Sequence, residues 1–574
     1  MEGKLKIVIK IIVLIFLLFF TNCEEDKFKS DSDYGQFAPA DAYQDDPDFA
    51  YYGSENEWNQ RMFSDKATDR FYKRRGQRQM LEIIKRNNDE VIKRCFRRLK
   101  NDDEDLESLF NLTIAYSRKG VPDSALLYFY ESLEKGLPFE RYLSGPRELL
   151  QSLYQTEDFQ FLQSEKAVKL IHGPMLGSFM ENSIRIWLRT IEESDILIKV
   201  YEKEKSNSIF SIYKAKSNRD RDYTAVININ NLKPGSKYFY DIEIDNFKVN
   251  PNRYSFTTPA IKNDISKFKI AFGGGAGYTP DHEKIWDIII NQNIDALLLL
   301  GDNVYIDLPE IPGAFHNYTY YRRQSRAEFR RLVAAVPVYT IWDDHDSGTD
   351  DVWMGPYLTK PEWKLPLLEH YTQNWVNPAY GTPEVPGCFY NFSLGHVDFF
   401  MLDGRFYRTN PYKVGERSML GSEQKEWLFE QLIKSEAVFK ILVSPVPWHF
   451  KAKPGSHDTW AGFPEEREEI FSFIEKNRIE GVVLLAADRH RSDAWKIERK
   501  NGYDFYELMS SRLTNIHTHE LMPEAIFGYN EKCSFGVIEF DFSGDDPGLL
   551  YKIISIDGEQ MGSLEIKNSM LTYD

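Results

Sequence analysis

Cysteine is scarce in this sequence, with four residues in 574, and acidic residues outnumber basic ones by 88 to 71. Apart from Cys23, the thiols at positions 95, 388 and 533 are scattered, so they form neither a disulfide framework nor a zinc-type pair. The formal charge of −17 argues against a general nucleic-acid binder, which normally shows a basic patch or stripe. Acidic substrates are not excluded, because a bound metal ion can invert the local field.

The N-terminus has no apolar run long enough for a typical membrane-spanning helix. Its apolar run, residues 11–20, is short for that purpose. Three lysines precede this run and small or polar residues follow it, which predicts a secretory signal peptide over residues 1–22. Cys23 comes next and resembles the lipidated cysteine of bacterial lipoproteins, although the three residues before it depart from the usual lipobox. We therefore expect an exported lipoprotein, membrane-anchored at Cys23 on the periplasmic or cell-surface side. An uncleaved anchor or plain secretion are the alternatives.

The rest of the chain has enough apolar residues for a sizeable core, since 42% are hydrophobic and 14% aromatic. Residues 23–58 are acidic and without periodicity, as in a tether. From 59 to 166 apolar residues recur at helical spacing. One helix there resembles half of a tetratricopeptide-like hairpin, but a helical cap on the next domain explains the same pattern. Residues 167–259 alternate apolar and polar, which predicts an antiparallel β-sandwich with a fibronectin-like aromatic corner at Tyr238 and Tyr240.

From residue 265 to 574 predicted strands and helices alternate, which indicates an α/β layered domain. Three of its strands end in side chains that bind metals. Ligands of open α/β sheets bind beyond the carboxyl ends of the strands, so we expect these side chains to share one edge. They are Asp302 and Tyr305 after strand 294–300, Trp342-Asp-Asp-His-Asp346 after strand 336–341, and Asp488-Arg489-His490 after strand 481–487.

Carboxylate and imidazole groups suit hard and borderline divalent or trivalent metals. One bridging aspartate with ligands on either side builds a two-metal site with ions about 3.5–4 Å apart. After a tight turn, the phenolate of Tyr305 could reach the same ion as Asp302. A solvated acidic turn explains any one of these segments, but the three together indicate a metal site.

The motifs Gly301-Asp302-x-x-Tyr305, Trp342-Asp-Asp-His-Asp346 and Ala487-Asp488-Arg489-His490 together resemble the alkaline phosphatase D (PhoD-like) branch of the calcineurin-like metallophosphatases. The segment HGPMLGSFMENSIRIWLRT resembles the β-sandwich that precedes the catalytic domain of that branch, and LDGRFYR and GSEQKEWL match further family landmarks. The resemblance covers roughly residue 171 to the end. It implies an αββα sandwich for the last domain.

The resemblance also implies two metal ions, drawn from iron, calcium, zinc and manganese, with Asp302 as the bridging ligand. His345 would be the catalytic imidazole. Arg405 could grip a phosphate oxygen in a bidentate manner. The other metal ligands would be Tyr305 on the harder ion, often iron, and Asp344, Asp488 and His490.

One position departs from the family. The first strand of the domain should end in an Asp-x-His pair or a cysteine, but Gly273-Gly-Gly-Ala-Gly277 stands there. Three interpretations are open: His282 or Glu283 supplies the missing ligand, the glycine N–H groups bind a phosphate, or the glycines form a tight turn. His449, just after a later strand, is a further candidate ligand.

The expected function is metal-dependent hydrolysis of a phosphoric monoester or diester by a hydroxide that bridges the metals. The aromatic-rich loops 307–320 and 349–386 are expected to line the entrance. A dinucleotide-binding fold is one alternative, although Tyr278 occupies the last glycine position of Gly-x-Gly-x-x-Gly. The other is a surface-anchored binding lipoprotein with an inactive metallophosphatase domain, which the missing first-strand ligand supports.

Overall fold

The computed structural model describes residues 76–262 and 265–573. The predicted signal peptide, the lipidation site Cys23, the tether and residues 59–75 of the helical region lie outside the described residues, and they stay predictions. In the part that is described, no helix combines the length and the apolar character needed to cross a membrane.

Residues 76–166 are helical, as the spacing of apolar residues predicts. The third helix shows why: the Asp105 carboxylate accepts a hydrogen bond from the N–H of Ser108 (3.3 Å) at its start, and Gly120 ends it at a φ of +72°. The helices contact the last domain, since the hydroxyl of Tyr318 donates to the buried carboxylate of Glu107 (2.5 Å). This contact favours the helical-cap interpretation. The seven helices are α1 Gln77–Ile84, α2 Asn88–Leu99, α3 Leu106–Lys119, α4 Pro122–Glu134, α5 Glu140–Ser144, α6 Gln151–Tyr154 and α7 Glu157–Lys166.

The next segment folds into two antiparallel sheets around their own apolar core. Tyr238 and Tyr240 are buried in this core, and the Tyr238 hydroxyl accepts a hydrogen bond from the N–H of Lys233 (2.8 Å). The strands are β1 Leu170–Met180, β2 Ser183–Thr190, β3 Asp195–Tyr201, β4 Ser211–Lys216, β5 Thr224–Ile229, β6 Lys237–Ile244, β7 Phe247–Lys248 and β8 Tyr254–Thr257. One sheet has the order β1-β2-β5 and the other β4-β3-β6-β7, with β8 also paired to β6.

The last part alternates strands and helices and forms two mixed sheets. Its strands are β9 Lys267–Gly273, β10 Ala296–Leu300, β11 Val338–Ile341, β12 Tyr390–Leu394, β13 Val397–Met401, β14 Phe439–Val443, β15 Val482–Ala486, β16 Ser492–Ile497, β17 Phe505–Ser510, β18 Phe527–Tyr529, β19 Ser534–Asp541, β20 Gly548–Ser555 and β21 Gln560–Lys567. Its helices are α8 Ile285–Ile290, α9 Ala314–Gln324, α10 Ala327–Val333, α11 Asp344–Ser347, α12 Lys364–Asn374, α13 Ser422–Lys434 and α14 Pro464–Lys476.

The first mixed sheet has the order β11-β10-β9-β19-β20-β21 and the second β12-β13-β14-β15-β17-β16-β18. The sheets pack on one another: the Tyr551 hydroxyl of β20 donates to the carbonyl of Met509 in β17 (2.8 Å). Strands β9, β10 and β11 are parallel, and so are β13, β14, β15 and β17. The central β10 and β15 are buried along their whole length, which explains their unbroken apolar runs.

This order of elements confirms that helices precede antiparallel and mixed sheets, while the division into separate domains stays a prediction. The narrower descriptions, fibronectin-like and αββα, stay predictions. Leu300 at the end of β10 pairs in parallel with Ile341 at the end of β11, so the segments after these two strands leave the sheet side by side.

Candidate metal centre

Residues that follow β10, β11 and β15 converge at one place. Ligand atoms of Asp302, Asp344 and His345 lie within 4.8 Å of one another. His490 joins them, since its Nε2 atom is 3.8 Å from Oδ2 of Asp302 and 3.2 Å from the hydroxyl of Tyr305. Parallel neighbouring strands explain the meeting of Asp302 with Asp344, and packing of the second sheet brings His490.

Asp302 lies at the middle of this centre and is 3% exposed. Its Oδ2 atom accepts a hydrogen bond from Tyr305 (2.9 Å), while Oδ1 is buried and has no hydrogen-bond partner among the described residues. Burial raises the pKa of Asp302 well above its usual value; the carboxylates of Asp344 and Asp488 add to this, and His345 opposes it. A buried carboxylate oxygen with an unused lone pair fits a bound cation, which would restore its ionised form.

Three residues of this centre have left-handed backbone conformations, with φ values of +53° at Asp302, +66° at Asp488 and +46° at His490. Residues other than glycine rarely adopt this region, and such strain is characteristic of functional sites. The turns after β10 and β15 therefore direct these side chains toward the centre by adopting backbone conformations that are unfavourable for residues other than glycine.

Asp344 and His345 lie in the short helix α11. The N–H of Asp351 donates to Oδ2 of Asp344 (2.7 Å), and Asp307 is hydrogen-bonded to Nδ1 of His345. Burial would raise the pKa of Asp344, but His345 and Arg405 outweigh burial and lower it. Burial would lower the pKa of His345, but Asp307 and Asp344 outweigh it and raise this pKa well above its usual value. The imidazole thus lies among carboxylates that favour its protonated form.

Asp488 is placed differently from the other candidate ligands, because a lysine lies beside it. The Lys453 ammonium is 3.6 Å from Oδ2 of Asp488, 3.3 Å from Asp351 and 3.6 Å from Asp458. These distances put one buried ammonium among three carboxylates. Asp344 belongs to both groups of carboxylates, the one around Asp302 and the one around Lys453. Its carboxylate also lies within 4.8 Å of ligand atoms of Asp350 and Asp351.

The outer two aspartates of the Trp-Asp-Asp-His-Asp motif point away from the candidate ligands. Asp343 is ion-paired with Arg405 through Nε (2.5 Å). Asp346 accepts hydrogen bonds from the N–H groups of Val304 (2.9 Å) and Asn303 (3.2 Å), so it ties the loop after β10 to α11. Burial raises the pKa of Asp346 to about 7. Asp344 and His345 are the two members of the motif that face Asp302.

Arg405 does not have the surroundings expected of a phosphate-gripping residue. Its side chain is fully buried, with Nη1 and Nη2 donating to the two oxygens of Asp458 (2.5 and 3.1 Å). Nε donates to Asp343 (2.5 Å) and Nη1 also donates to the carbonyl of Val352 (3.2 Å). Its donors are directed at protein groups, and Nη2 approaches Asp344 to 3.8 Å. The guanidinium therefore holds the segment that carries Asp344.

Replacing Arg405 by methionine is expected to lower the free energy of unfolding by about 3–5 kcal/mol, because the buried Asp343 loses its ion-pair partner. Asp458 loses one partner but keeps Arg408 and Lys453. Urea titration of the metal-free protein measures this loss. The control is Arg331→Met, which breaks a half-exposed pair with Asp287 (2.7 Å) and should cost about 0–1 kcal/mol. Equal costs for both variants would contradict a structural role, and weakened phosphate binding at unchanged stability would restore the expected phosphate contact.

The glycines after β9 form a tight turn. The N–H groups of Gly274, Gly275 and Ala276 donate to the carbonyls of Ser510 (3.1 Å), Gly301 (3.4 Å) and Asp302 (2.8 Å). These N–H groups are therefore occupied by backbone and are not aimed at a phosphate, which also removes the support for a dinucleotide-binding loop. The turn instead joins β9 to the segments after β10 and β17.

The two side chains proposed as replacements for the missing ligand lie in other contacts. Nδ1 of His282 is 3.1 Å from the carbonyl of Thr514. Glu283 is buried, ion-paired with Arg323, and accepts from the indole of Trp286 (2.7 Å). His449 stacks on Trp495 with ring centroids 4.4 Å apart. None of the three is grouped with the Asp302 ligand atoms among the described residues.

Replacing Gly275 by alanine is expected to be strongly destabilising. Gly275 has a φ of +68°, and an added Cβ would lie 2.3 Å from the carbonyl oxygen of Ser511. The control is Gly120→Ala, because Gly120 has a φ of +72° with open space around its Cβ position. We expect about 1–2 kcal/mol for Gly120→Ala from the backbone conformation, and about 1–3 kcal/mol more for Gly275→Ala from the overlap. Denaturant titration measures both, and equal losses would contradict the tight-turn description.

The structure adds three residues that sequence reasoning missed: Asn515, His517 and His519. The Asn515 side-chain amide donates to the hydroxyl of Tyr305 (2.8 Å). Ligand atoms of His490, His517 and His519 lie within 4.8 Å of one another. The His-x-His pair soon after the buried strand β17 is the signal that could have identified them.

The grouped carboxylate, phenol and imidazole side chains form a candidate metal centre, and comparison with known proteins shows which family the surrounding domain resembles. Residues 270–527 match the model of PhoD-like phosphatases, and residues 167–261 match a domain of unknown function (DUF7800). This match over residues 270–527 confirms the resemblance to PhoD-like phosphatases that the motifs indicate.

Two relatives illustrate the similarity. Alkaline phosphatase D of Bacillus subtilis (strain 168) is 22% identical over 306 residues, which are 46% of this chain and 52% of that protein. The chain thus matches about half the length of this curated relative. A solved structure described as "Structure of PhoD" is 18% identical and covers 68% of this chain and 88% of that chain, with a TM-score of 0.56. This last likeness supports the fold.

Proposed function

We propose that the chain is a metal-dependent hydrolase of phosphoric esters, monoesters or diesters, that uses two metal ions. The observation that carries the proposal is the convergence of Tyr305, Asp344 and His490 on the buried Asp302. The Oδ1 atom of Asp302 is buried and has no hydrogen-bond partner among the described residues. The match of residues 270–527 to the model of PhoD-like phosphatases supports the phosphatase class.

The donor set fits the metals that the family implies, because it combines carboxylate, phenol and imidazole groups. Asp302 would be shared by the two ions, Tyr305 and His490 would hold one of them, and Asp344 and Asp488 would hold the other. When bound, such ions would provide a nucleophile from water near neutral pH and would withdraw charge from phosphate oxygens. Iron, calcium, zinc and manganese all suit these ligands.

His345 supplies the proton that a leaving alkoxide needs. Asp307 holds Nδ1 of the ring, and burial leaves the imidazole only 6% exposed. This pairing orients the ring, and Nε2, which lies 3.8 Å from Oδ1 of Asp350, is the atom that would face the leaving-group oxygen. Arg405 acts through the protein: by holding Asp343 and approaching Asp344, it positions the segment that carries His345.

The alternative is a binding lipoprotein with an inactive phosphatase domain, and the glycine end of β9 is the observation in its favour. Hydrolysis of p-nitrophenyl phosphate and bis-p-nitrophenyl phosphate, before and after treatment with a chelator, separates the two functions. The proposal predicts turnover that a chelator abolishes and added metal restores. Bound metal with no turnover of either ester would favour the binding lipoprotein.

We also propose, from the sequence at Cys23, that the protein is exported and lipid-anchored in a membrane. Cys23→Ser should move the protein from the membrane fraction to the soluble fraction and prevent incorporation of labelled fatty acid. An unchanged distribution with no label in the parent protein would contradict the anchor.

A further inference from the structure

Three imidazole rings meet at the edge of the candidate metal centre. Ring centroids are 5.2 Å apart for His490 and His517, 5.7 Å for His490 and His519, and 4.7 Å for His517 and His519. One ligand nitrogen from each ring lies within 4.8 Å of the others. His490 and His519 are buried, and His517 is half-buried. Nitrogen atoms so close together are within the span of a single coordinated ion.

The loop that carries His517 and His519 is fixed against the centre by side chains. Oδ1 of Asn515 accepts from the N–H of His517 (3.0 Å), while its Nδ2 donates to the hydroxyl of Tyr305 (2.8 Å). The hydroxyl of Thr518 donates to the carbonyl of His490 (3.1 Å). The Arg512 guanidinium donates to the carbonyls of Asn515 (3.3 Å) and residue 516 (3.0 Å). These bonds fix the backbone that carries the two rings, and metal sites are supported by such fixed surroundings.

The chemistry of the three groups selects a class of cation. Neutral imidazole is a ligand for zinc, iron and other borderline transition metals, whereas calcium and magnesium prefer oxygen. The same His490 ring is 3.2 Å from the Tyr305 hydroxyl and 3.8 Å from Oδ2 of Asp302. An ion held by the three rings would therefore also be next to the carboxylate proposed to bridge the pair.

We propose that His490, His517 and His519 bind one borderline transition-metal ion next to Asp302 and Tyr305. His517 and His519 then supply the ligands that the glycine end of β9 does not provide. The inference rests on the proposed function in one respect, namely that this ion is one of the two used for hydrolysis. Binding of the ion itself needs no hydrolysis, so it can be tested separately.

The first test is the affinity of the full chain for Zn²⁺, measured by competition with a chromogenic chelator after the protein has been stripped of metal. We expect His517→Ala and His519→Ala each to weaken binding at least about 10-fold, and the double variant at least about 100-fold, since even outer groups at metal sites are worth about 10–100-fold. His396→Ala is the matched control, because His396 lies at the β12–β13 turn beside Phe542 (5.2 Å). It should bind as the parent does, and parent-like binding by the double variant would overturn the proposal.

A second measurement needs no variant and so does not depend on the folding of the alanine proteins. X-ray absorption at the zinc edge, with one equivalent of Zn²⁺ on the parent protein, should show two or more imidazole ligands per zinc. A zinc shell with one imidazole or none would overturn the proposal. If the parent binds zinc through the three rings but hydrolyses no phosphate ester, the proposed function fails and this inference stands.

Discussion

Asp302→Asn is expected to empty the metal centre and to lower phosphate-ester hydrolysis by about 1000-fold or more. The amide keeps the size of the side chain but loses the charge that two cations would share. Asp302 is nearly fully buried, and Oδ1 has no hydrogen-bond partner among the described residues, so its carboxylate has few other stabilising contacts. Elemental analysis of the purified variant, with turnover of both chromogenic esters, measures the two effects together.

Asp295→Asn is the matched control for this variant. Asp295 precedes β10 at the opposite end of the strand, and its carboxylate accepts from the N–H of Lys269 (2.8 Å). It should keep metal and activity. The metal-free form of Asp302→Asn should also be at least as stable as the parent, because burial makes the Asp302 charge unfavourable there. Unchanged metal content in Asp302→Asn would contradict the bridging role.

His345→Asn is expected to lower turnover by about 100- to 10,000-fold, the usual contribution of a general acid, while metal content stays at the parent level. The reason is that Asp307 occupies Nδ1 of the imidazole and orients the ring for proton transfer, whereas the ligands proposed for the ions are the carboxylates, Tyr305 and His490. Metal content and turnover of an alkyl phosphate ester, whose leaving alkoxide needs a proton, are measured on the same preparation.

The control for His345→Asn is His396→Asn at the far edge of the second sheet, which should change neither quantity. Equal loss of metal and turnover in His345→Asn would show that His345 is a metal ligand and would contradict its role as the general acid. The turnover of His345→Asn should be much closer to that of the parent with an ester that has an activated leaving group, because such a leaving group needs no proton. A merely structural role would show no such rescue.

Much of the fold could be predicted because its signals are local. The apolar runs of β10 and β15 are continuous, since both strands are buried on both faces. The alternation in residues 167–259 likewise reflects sheets with one core-facing side. The pairing of β9 with the late strand β19 has no local signal, because it joins residues more than two hundred positions apart.

The candidate site was predictable where a motif directly follows a strand, as for Asp302, Asp344 and His490. It was not predictable where the chain returns through a loop. His517 and His519 reach the centre because Asn515 and Arg512 fold their loop back, which no spacing rule shows. The partners of Arg405 likewise depend on Asp458, from a segment that carries no motif.

The measurement that tests the central claim most directly is an anomalous difference map at the zinc edge, from crystals of the full chain grown with Zn²⁺. We predict a peak about 2.0–2.2 Å from an oxygen of Asp302 and from a nitrogen of His490. A map in which zinc lies elsewhere, with no peak within coordinating distance of Asp302, would contradict the metal centre and the function proposed from it.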